Sequence, residues 1–126
     1  MHGKRVLITG ASGFVGAHLA RRALSAGADV HAMVRSSSDL WRLEGVLSRL
    51  TVHWADLTDA EATRTAVLTA RPDCVFHLAV LGAYPFQRDA EAIIQTNVFG
   101  TWNLLKACAE IDYEVFVNAG SSSEYG

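Results

Sequence analysis

The 126-residue chain holds only two cysteines, Cys74 and Cys108, and two prolines, Pro72 and Pro85. Both cysteines stand inside apolar patterns without CxxC spacing, so the chain reads as carrying two buried free thiols in a reducing compartment, with neither a disulfide nor a metal knuckle. No apolar run is long enough to cross a membrane, and the opening "MHGKRVLITGASG" has too few apolar residues for a signal-peptide core, which points to the cytoplasm. Excess charge is also missing. Eleven basic residues face thirteen acidic ones for a net charge of −2, and the basic residues are scattered, so a nucleic-acid surface or an anionic membrane partner is not expected. No internal repeat, linker or low-complexity block interrupts the chain.

What is present is an ordinary globular interior: 50% hydrophobic residues, 19% charged residues and ten glycines. A chain of this length folds as one domain and buries roughly two-thirds of the surface exposed when unfolded. Short β-branched runs alternate with helical patterns, the sequence form of a repeated β-α unit. Strands are predicted at Arg5–Thr9, Asp29–Val34, 50–55, 73–78 and 114–118. The first helix is predicted over residues 13–26, with Val15, Leu19 and Ala23 at four-residue intervals and Gly27 closing it. A second is predicted over 60–70, capped by Asp59 and stopped by Pro72, and the longest over 88–111. In that long helix Ala90, Ile93, Ile94, Asn97, Val98, Thr101, Leu104, Leu105 and Cys108 predict one stripe buried against the sheet. Leu40, Leu43 and Leu47 suit a short amphipathic helix after a loop at Ser36 to Ser38. Right-handed crossovers then give a Rossmann-type doubly wound parallel sheet of five strands in the order 3-2-1-4-5, with a crevice at the carboxyl ends of strands 1 and 4.

The segment "VLITGASGFVGAHLA" places Gly10, Gly13 and Gly16 three residues apart, directly after a buried strand and at the opening of a helix. Gly10 permits the sharp turn, Gly13 lets backbone amides approach a pyrophosphate, Gly16 lets helix and strand pack closely, and Ser12 can add a hydroxyl. The alternative is a tight turn with no ligand, which rarely needs three glycines. On the second strand Val34 stands where an acid would hold the ribose 2′-hydroxyl of NAD, while Arg35 with Ser36 and Ser37 offers a guanidinium and hydroxyls to the 2′-phosphate of NADP. NADP is therefore favoured over NAD, against the reading of Arg35 as a solvated surface residue. At the end of the third strand Asp56 can accept from an adenine amino group and Leu57 can cover the ring, or Asp56 can only shape the turn. Ala79 and Val80 end the fourth strand and are small enough for a ribose and nicotinamide to lie against the backbone. His77, within an apolar run, reads as a satisfied core histidine rather than a base.

Together "TGASGFVG", "ADL", "FHLA" and "NVFGTWNLLKAC", leading to "VFVNAGSSSEYG", resemble the N-terminal part of an extended short-chain dehydrogenase/reductase of the NAD(P)-dependent nucleotide-sugar epimerase/dehydratase group. The resemblance extends the cofactor contacts to Phe14, Val15 and Leu78, and to Asn97, whose amide would brace the backbone at the sheet's end. It makes Ser121 the catalytic serine that hydrogen-bonds the reacting substrate oxygen. It also implies a Tyr-x-x-x-Lys acid/base pair, and here the departure is plain. Tyr84 is followed four positions on by Arg88, Tyr113 by Val117, and Tyr125, which resembles the family's Tyr-Gly turn, is penultimate. The dehydratase acids fall on Ser122 and Ser123 in an ungapped reading, and a slip of one residue would bring in Glu124. The expectation is therefore residues 1–126 as the NAD(P)-binding portion of a nucleotide-sugar epimerase or reductase, truncated before the substrate-binding part and inactive alone. The alternative is a non-catalytic NADP(H)-binding or sensor module acting with a partner chain. Partners on the leading reading are a nucleotide-sugar substrate and either a second copy or a C-terminal partner chain.

Overall fold

The computed structural model describes residues 1–121 and 125. Five strands form one parallel sheet: β1 (Arg5–Thr9), β2 (Asp29–Val34), β3 (Thr51–Trp54), β4 (Cys74–His77) and β5 (Val115–Asn118), in the order β3-β2-β1-β4-β5. This is the predicted doubly wound arrangement. β1 is central, in register with β2 from Arg5 opposite Asp29 to Thr9 opposite Met33, and with β4 from Val6 opposite Cys74 to Thr9 opposite His77. It is flanked on both faces, so RVLIT reads as a nearly continuous apolar run rather than an alternating one.

Alternate residues of the strands feed two cores. On one face Val6, Ile8, Val30 and Ala32 pack beneath α1 (Phe14–Ser25) through Ala17, Ala20 and Ala23. On the other, Leu7, Met33 and Val75 meet α2 (Ala60–Ala70) and α4 (Thr101–Cys108) through Val67, Ala70, Leu104 and Cys108. Leu7 and Ile8 are wholly buried, each stabilising the fold by about 1.5–3 kcal/mol relative to exposure. Asp59 caps α2 by accepting from the amides of Glu61 and Ala62, and Arg71, in the left-handed region at φ 41°, ends it before Pro72. Cys108 is buried, and loss of hydration pushes its thiol up to about 11; Cys74 is partly exposed and free.

Two helical expectations are corrected. Residues 36–49 hold two 3₁₀ turns, Trp41–Leu43 and Leu47–Arg49, instead of an amphipathic α-helix. Leu40 and Leu43 are three apart, and a 3₁₀ turn eclipses such a pair, placing Leu43 fully into the core. The long helix is three pieces: α3 (Ala90–Ile94), a π-helical stretch over Gln95–Gly100, and α4. The wider π turn rotates the following residues out of the 3.6-residue period. Gly100, Leu104 and Cys108 are buried, whereas Ala90, Ile94, Val98 and Leu105, expected on the buried stripe, are exposed. Gly100 has a reason to be glycine, since a Cβ there would stand 2.9 Å from Leu57 Cβ. No helix among the described residues is long and apolar enough to cross a membrane.

Candidate dinucleotide site

The carboxyl ends of β3, β2, β1 and β4 open onto a cleft of about 350 Å³. Its floor is the loop from Thr9 to Gly16, and each glycine in it has a different physical cause. Gly10 lies at φ +68°, and a Cβ there would meet Ala79 N at 2.7 Å and Leu78 C at 2.8 Å, so both backbone conformation and close approach of β4 demand glycine. At Gly16 a Cβ would stand 2.2 Å from Gly10 O and 2.8 Å from Ala11 Cα, the contact that seats α1 on the loop. Gly13 is different. Its φ is −73°, its Cβ would touch only Gly10 O at 3.2 Å, and its backbone is unstrained. A methyl there would ask only Gly10 O to give by a few tenths of an ångström, and Gly13 lines the cleft.

Gly13 is also the N-cap of α1, and it brings no side chain to cap with. The first helical bond is Ala17 N to Gly13 O at 3.0 Å, so the amides of Phe14, Val15 and Gly16 have no partner among the described residues. No acidic residue occupies the first turn. Three unpaired N–H groups at the positive end of a 12-residue helix fit an anion such as a diphosphate. Phe14 and Val15 are 69% and 62% exposed and line the same cleft with Ser12, so the apolar residues at this helix start serve no core.

Toward β2 and β3 the cleft is lined by Val34, Arg35, Ser38, Asp56 and Leu57. Val34 is buried where an acid was the NAD alternative. Arg35 is exposed, and its guanidinium takes part in no hydrogen bond or ion pair among the described residues. Its backbone closes a turn with Ser38: Arg35 N donates to Ser38 Oγ at 3.1 Å and Ser38 N to Arg35 O at 2.9 Å. That turn puts Ser38 at the cleft, while the sequence-expected Ser36 is exposed and outside its lining. Asp56 shapes its turn, accepting on Oδ1 from Thr58 N and Thr58 Oγ1 at 2.9 and 2.8 Å, and lines the cleft as well. Leu57 is held by Asn103, whose Nδ2 donates to its carbonyl at 2.8 Å.

Toward β4 the wall is Leu78, Ala79 and Val80. Behind it runs a chain of hydrogen bonds whose polarity can be assigned. Thr101 Oγ1 donates to Asn97 O at 2.7 Å, so it accepts from His77 Nε2 at 2.8 Å. His77 Nδ1 then accepts from Thr9 Oγ1 at 2.6 Å, and Thr9 Oγ1 receives the amides of Leu78 and Ala79 at 3.2 and 3.3 Å. His77 is buried and neutral, its pKa lowered by loss of hydration. It acts as a satisfied core histidine that ties β1, β4 and α4 together under the cleft wall. Asn97, in the π turn, holds both polar groups of Leu81: Oδ1 accepts from Leu81 N at 2.9 Å and Nδ2 donates to Leu81 O at 2.7 Å. It braces the wall and does not line the cleft, whereas its neighbour Thr96 does.

Beyond β5, Ala119 N still donates to His77 O at 3.0 Å, carrying the chain toward the same carboxyl edge. Ser121 follows there, exposed and outside the cleft lining. Ser122, Ser123 and Glu124 lie outside the described residues. Sequence reasoning missed Tyr84 and Gln87, which line the β4 end on an irregular loop, where neither β nor helical periodicity marks a position.

A glycine loop feeding an uncapped helix at the carboxyl ends of a 3-2-1-4-5 parallel sheet defines a dinucleotide-binding α/β protein of the Rossmann class. Residues 6–126 match the NAD dependent epimerase/dehydratase family, and the chain belongs to that family. It is 37% identical over 113 residues to cinnamoyl-CoA reductase 1 of Petunia hybrida, covering 86% of this chain and 32% of that protein. With a probable UDP-glucuronate 4-epimerase of Rhizobium meliloti (strain 1021) it shares 30% identity over 135 aligned positions, 97% of this chain and 38% of the relative. The solved Bordetella bronchiseptica enzyme WbmG in complex with NAD superposes with a TM-score of 0.85 at 28% identity, over 98% of this chain and 39% of that one. The chain thus spans about a third of the length of the curated relatives it matches.

Proposed function

We propose that residues 1–126 form the NADP(H)-binding portion of an epimerase or reductase that exchanges hydride with a carbinol or carbonyl carbon. The single observation that carries this is the joint geometry of the glycine loop: three helix amides unpaired among the described residues, an unstrained glycine at the helix start, and an arginine with no ion pair among them, along one cleft. A bound nicotinamide would supply the hydride donor or acceptor. The chain's own residues bind and orient. The amides of Phe14, Val15 and Gly16 hold the diphosphate, Arg35 with Ser36 or Ser38 holds the 2′-phosphate, and Asp56 and Leu57 take the adenine. Leu78, Ala79 and Val80, kept in place by Thr9, His77 and Asn97, form the wall for the nicotinamide half. Ser121 hydrogen-bonds the reacting oxygen.

The epimerase relative supports a nucleotide sugar as substrate and the reductase relative supports reduction at a carbonyl, and the cofactor reading is the same for both. The proton-handling tyrosine and lysine of the resemblance are not among these residues, so the chain alone binds cofactor without turnover. NADP over NAD rests on Arg35 and Val34 and not on WbmG, whose solved complex holds NAD. Calorimetric titration tests the reading. NADP⁺ is expected to bind at least tenfold tighter than NAD⁺, about 1.4 kcal/mol, and Arg35→Glu to abolish that difference. Equal affinities in the unaltered chain would refute the NADP assignment, and binding of neither would refute the site.

A further inference from the structure

The segment from Leu81 to Arg88 is irregular yet closed on itself. Gln87 Oε1 accepts from Gly82 N at 3.0 Å and Tyr84 N at 3.3 Å, and Gln87 N donates to Tyr84 O at 2.9 Å. Arg88 Nε donates to Pro85 O at 2.8 Å, and Asn97 clamps Leu81 from the π turn. Gly82, at φ +94°, packs on Ile93, whose Cδ1 would lie 3.0 Å from a Cβ there. This many bonds within eight residues give a loop held in one shape, and what it holds is two large rings set out in solvent. Tyr84 and Phe86 are 61% and 79% exposed, with ring planes 6° apart and centroids 5.4 Å apart. Tyr84 lines the cleft; Phe86 stacks on it.

The strand order separates this end of the cleft from the end at Arg35 and Asp56, with β1 between them. The two ends differ in charge. Val80, Leu81, Ala83, Tyr84, Gln87 and Thr96 line the β4 end, and no Asp, Glu, Lys, Arg or His is among the described residues lining it. A second diphosphate would meet no cation among these lining residues, and Arg88, next to Gln87, has its Nε turned to Pro85 O. A flat uncharged ring would find a parallel aromatic pair, already ordered, with Gln87 beside it.

We infer that the Tyr84–Phe86 loop is the substrate-recognition rim of this cleft, and that it selects a reacting carbonyl or carbinol carried on a flat aromatic frame in preference to a nucleotide sugar. This rests on the proposed cofactor site and deepens it. Placing the ring on Tyr84 sets the substrate at the nicotinamide end of the cleft.

Saturation-transfer NMR on the chain at saturating NADP⁺ tests it, with 1-tetralone as the aryl ketone probe and UDP-glucose as the nucleotide-sugar probe. The expected result is transfer to the aromatic protons of 1-tetralone that falls at least fivefold in Tyr84→Ala, falls less in Phe86→Ala and is kept in Tyr84→Phe. UDP-glucose should show no transfer that depends on Tyr84. Transfer to 1-tetralone unchanged by Tyr84→Ala, or stronger Tyr84-dependent transfer to UDP-glucose, would overturn the inference while leaving the cofactor site standing. Failure of the unaltered chain to bind NADP⁺ would remove the cofactor site and this inference with it. Thermal melting of each variant separates loss of the ring from loss of the fold.

Discussion

Replacing Gly10, Gly13 and Gly16 singly by alanine should separate folding from binding within one loop. At Gly16 the new methyl meets Gly10 O at 2.2 Å and Ala11 Cα at 2.8 Å, both backbone, so the helix must lift off the loop. Overpacking of this kind costs about 1–3 kcal/mol or more. At Gly10 an L residue at φ +68° adds about 1–2 kcal/mol of backbone strain to the contact with Ala79 N at 2.7 Å. At Gly13 the backbone is unstrained at φ −73°, and the one contact, 3.2 Å to Gly10 O, asks that oxygen to give by only a few tenths of an ångström. Alanine restricts the unfolded chain, a gain of about 0.4–1 kcal/mol, offset by its poorer fit to an N-cap. The net change at Gly13 is therefore within about 1 kcal/mol, a shift of about 4 °C in melting temperature at this size. Gly13 lines the cleft beside the orphan amides, so the methyl is expected to crowd a diphosphate held there, and NADP⁺ affinity should fall at least tenfold, about 1.4 kcal/mol. Urea unfolding and calorimetric titration on the three variants read the two quantities separately. Unchanged NADP⁺ affinity in Gly13→Ala would refute the argument, and so would a Gly16→Ala variant as stable as the parent.

Acidification should weaken the fold below neutrality. His77 and His53 have pKa values lowered by burial, with the nearby His31 lowering His53 further, so the folded state binds fewer protons than the unfolded state below about pH 6.5. Their contribution is complete above that pH and is lost as pH falls, at up to about 1.4 kcal/mol per pH unit for each group. Urea midpoints equal at pH 7.5 and 5.5 would contradict it. At the sheet's edge, β5 pairs only with β4 among the described residues, and Val115 and Val117 are 44% and 39% exposed beside Cys74 and Phe76. An open apolar edge promotes pairing; sedimentation should show concentration-dependent association that Val117→Lys reduces, and a clean monomer at millimolar concentration would remove the expectation.

Much of this protein was legible in the sequence because its signals are local. Arg5–Thr9, Asp29–Val34 and Ala60–Ala70 stand where β-branched runs, the Asp59 cap and Pro72 place them, and three glycines after a strand mark a turn into a helix whatever surrounds it. The three glycines look alike in sequence, and only their neighbours distinguish a residue needed for the turn, one needed for packing and one whose sole near neighbour is the Gly10 carbonyl oxygen.

Other features depended on distant partners. The stripe from Ala90 to Cys108 is apolar on more than one face, and periodicity alone cannot choose which face meets the sheet. The π turn chose, by bringing Asn97 to Leu81 and Gly100 to Leu57 while turning Val98 and Leu105 outward. Ser38 rather than Ser36 reaches the cleft because the Arg35 backbone folds back on Ser38. The Tyr84–Phe86 pair exists only because Gln87 and Asn97 tie an irregular segment into one shape. Sequence by itself determined the strand–helix rhythm, the glycine loop and the arginine at the end of the second strand, because each is encoded within a few neighbouring residues. Tertiary structure alone decided which face of the long helix is buried, which serine meets the cleft and where the aromatic rim stands, because each follows from contacts between residues distant in the chain or from hydrogen bonds with no periodic signature.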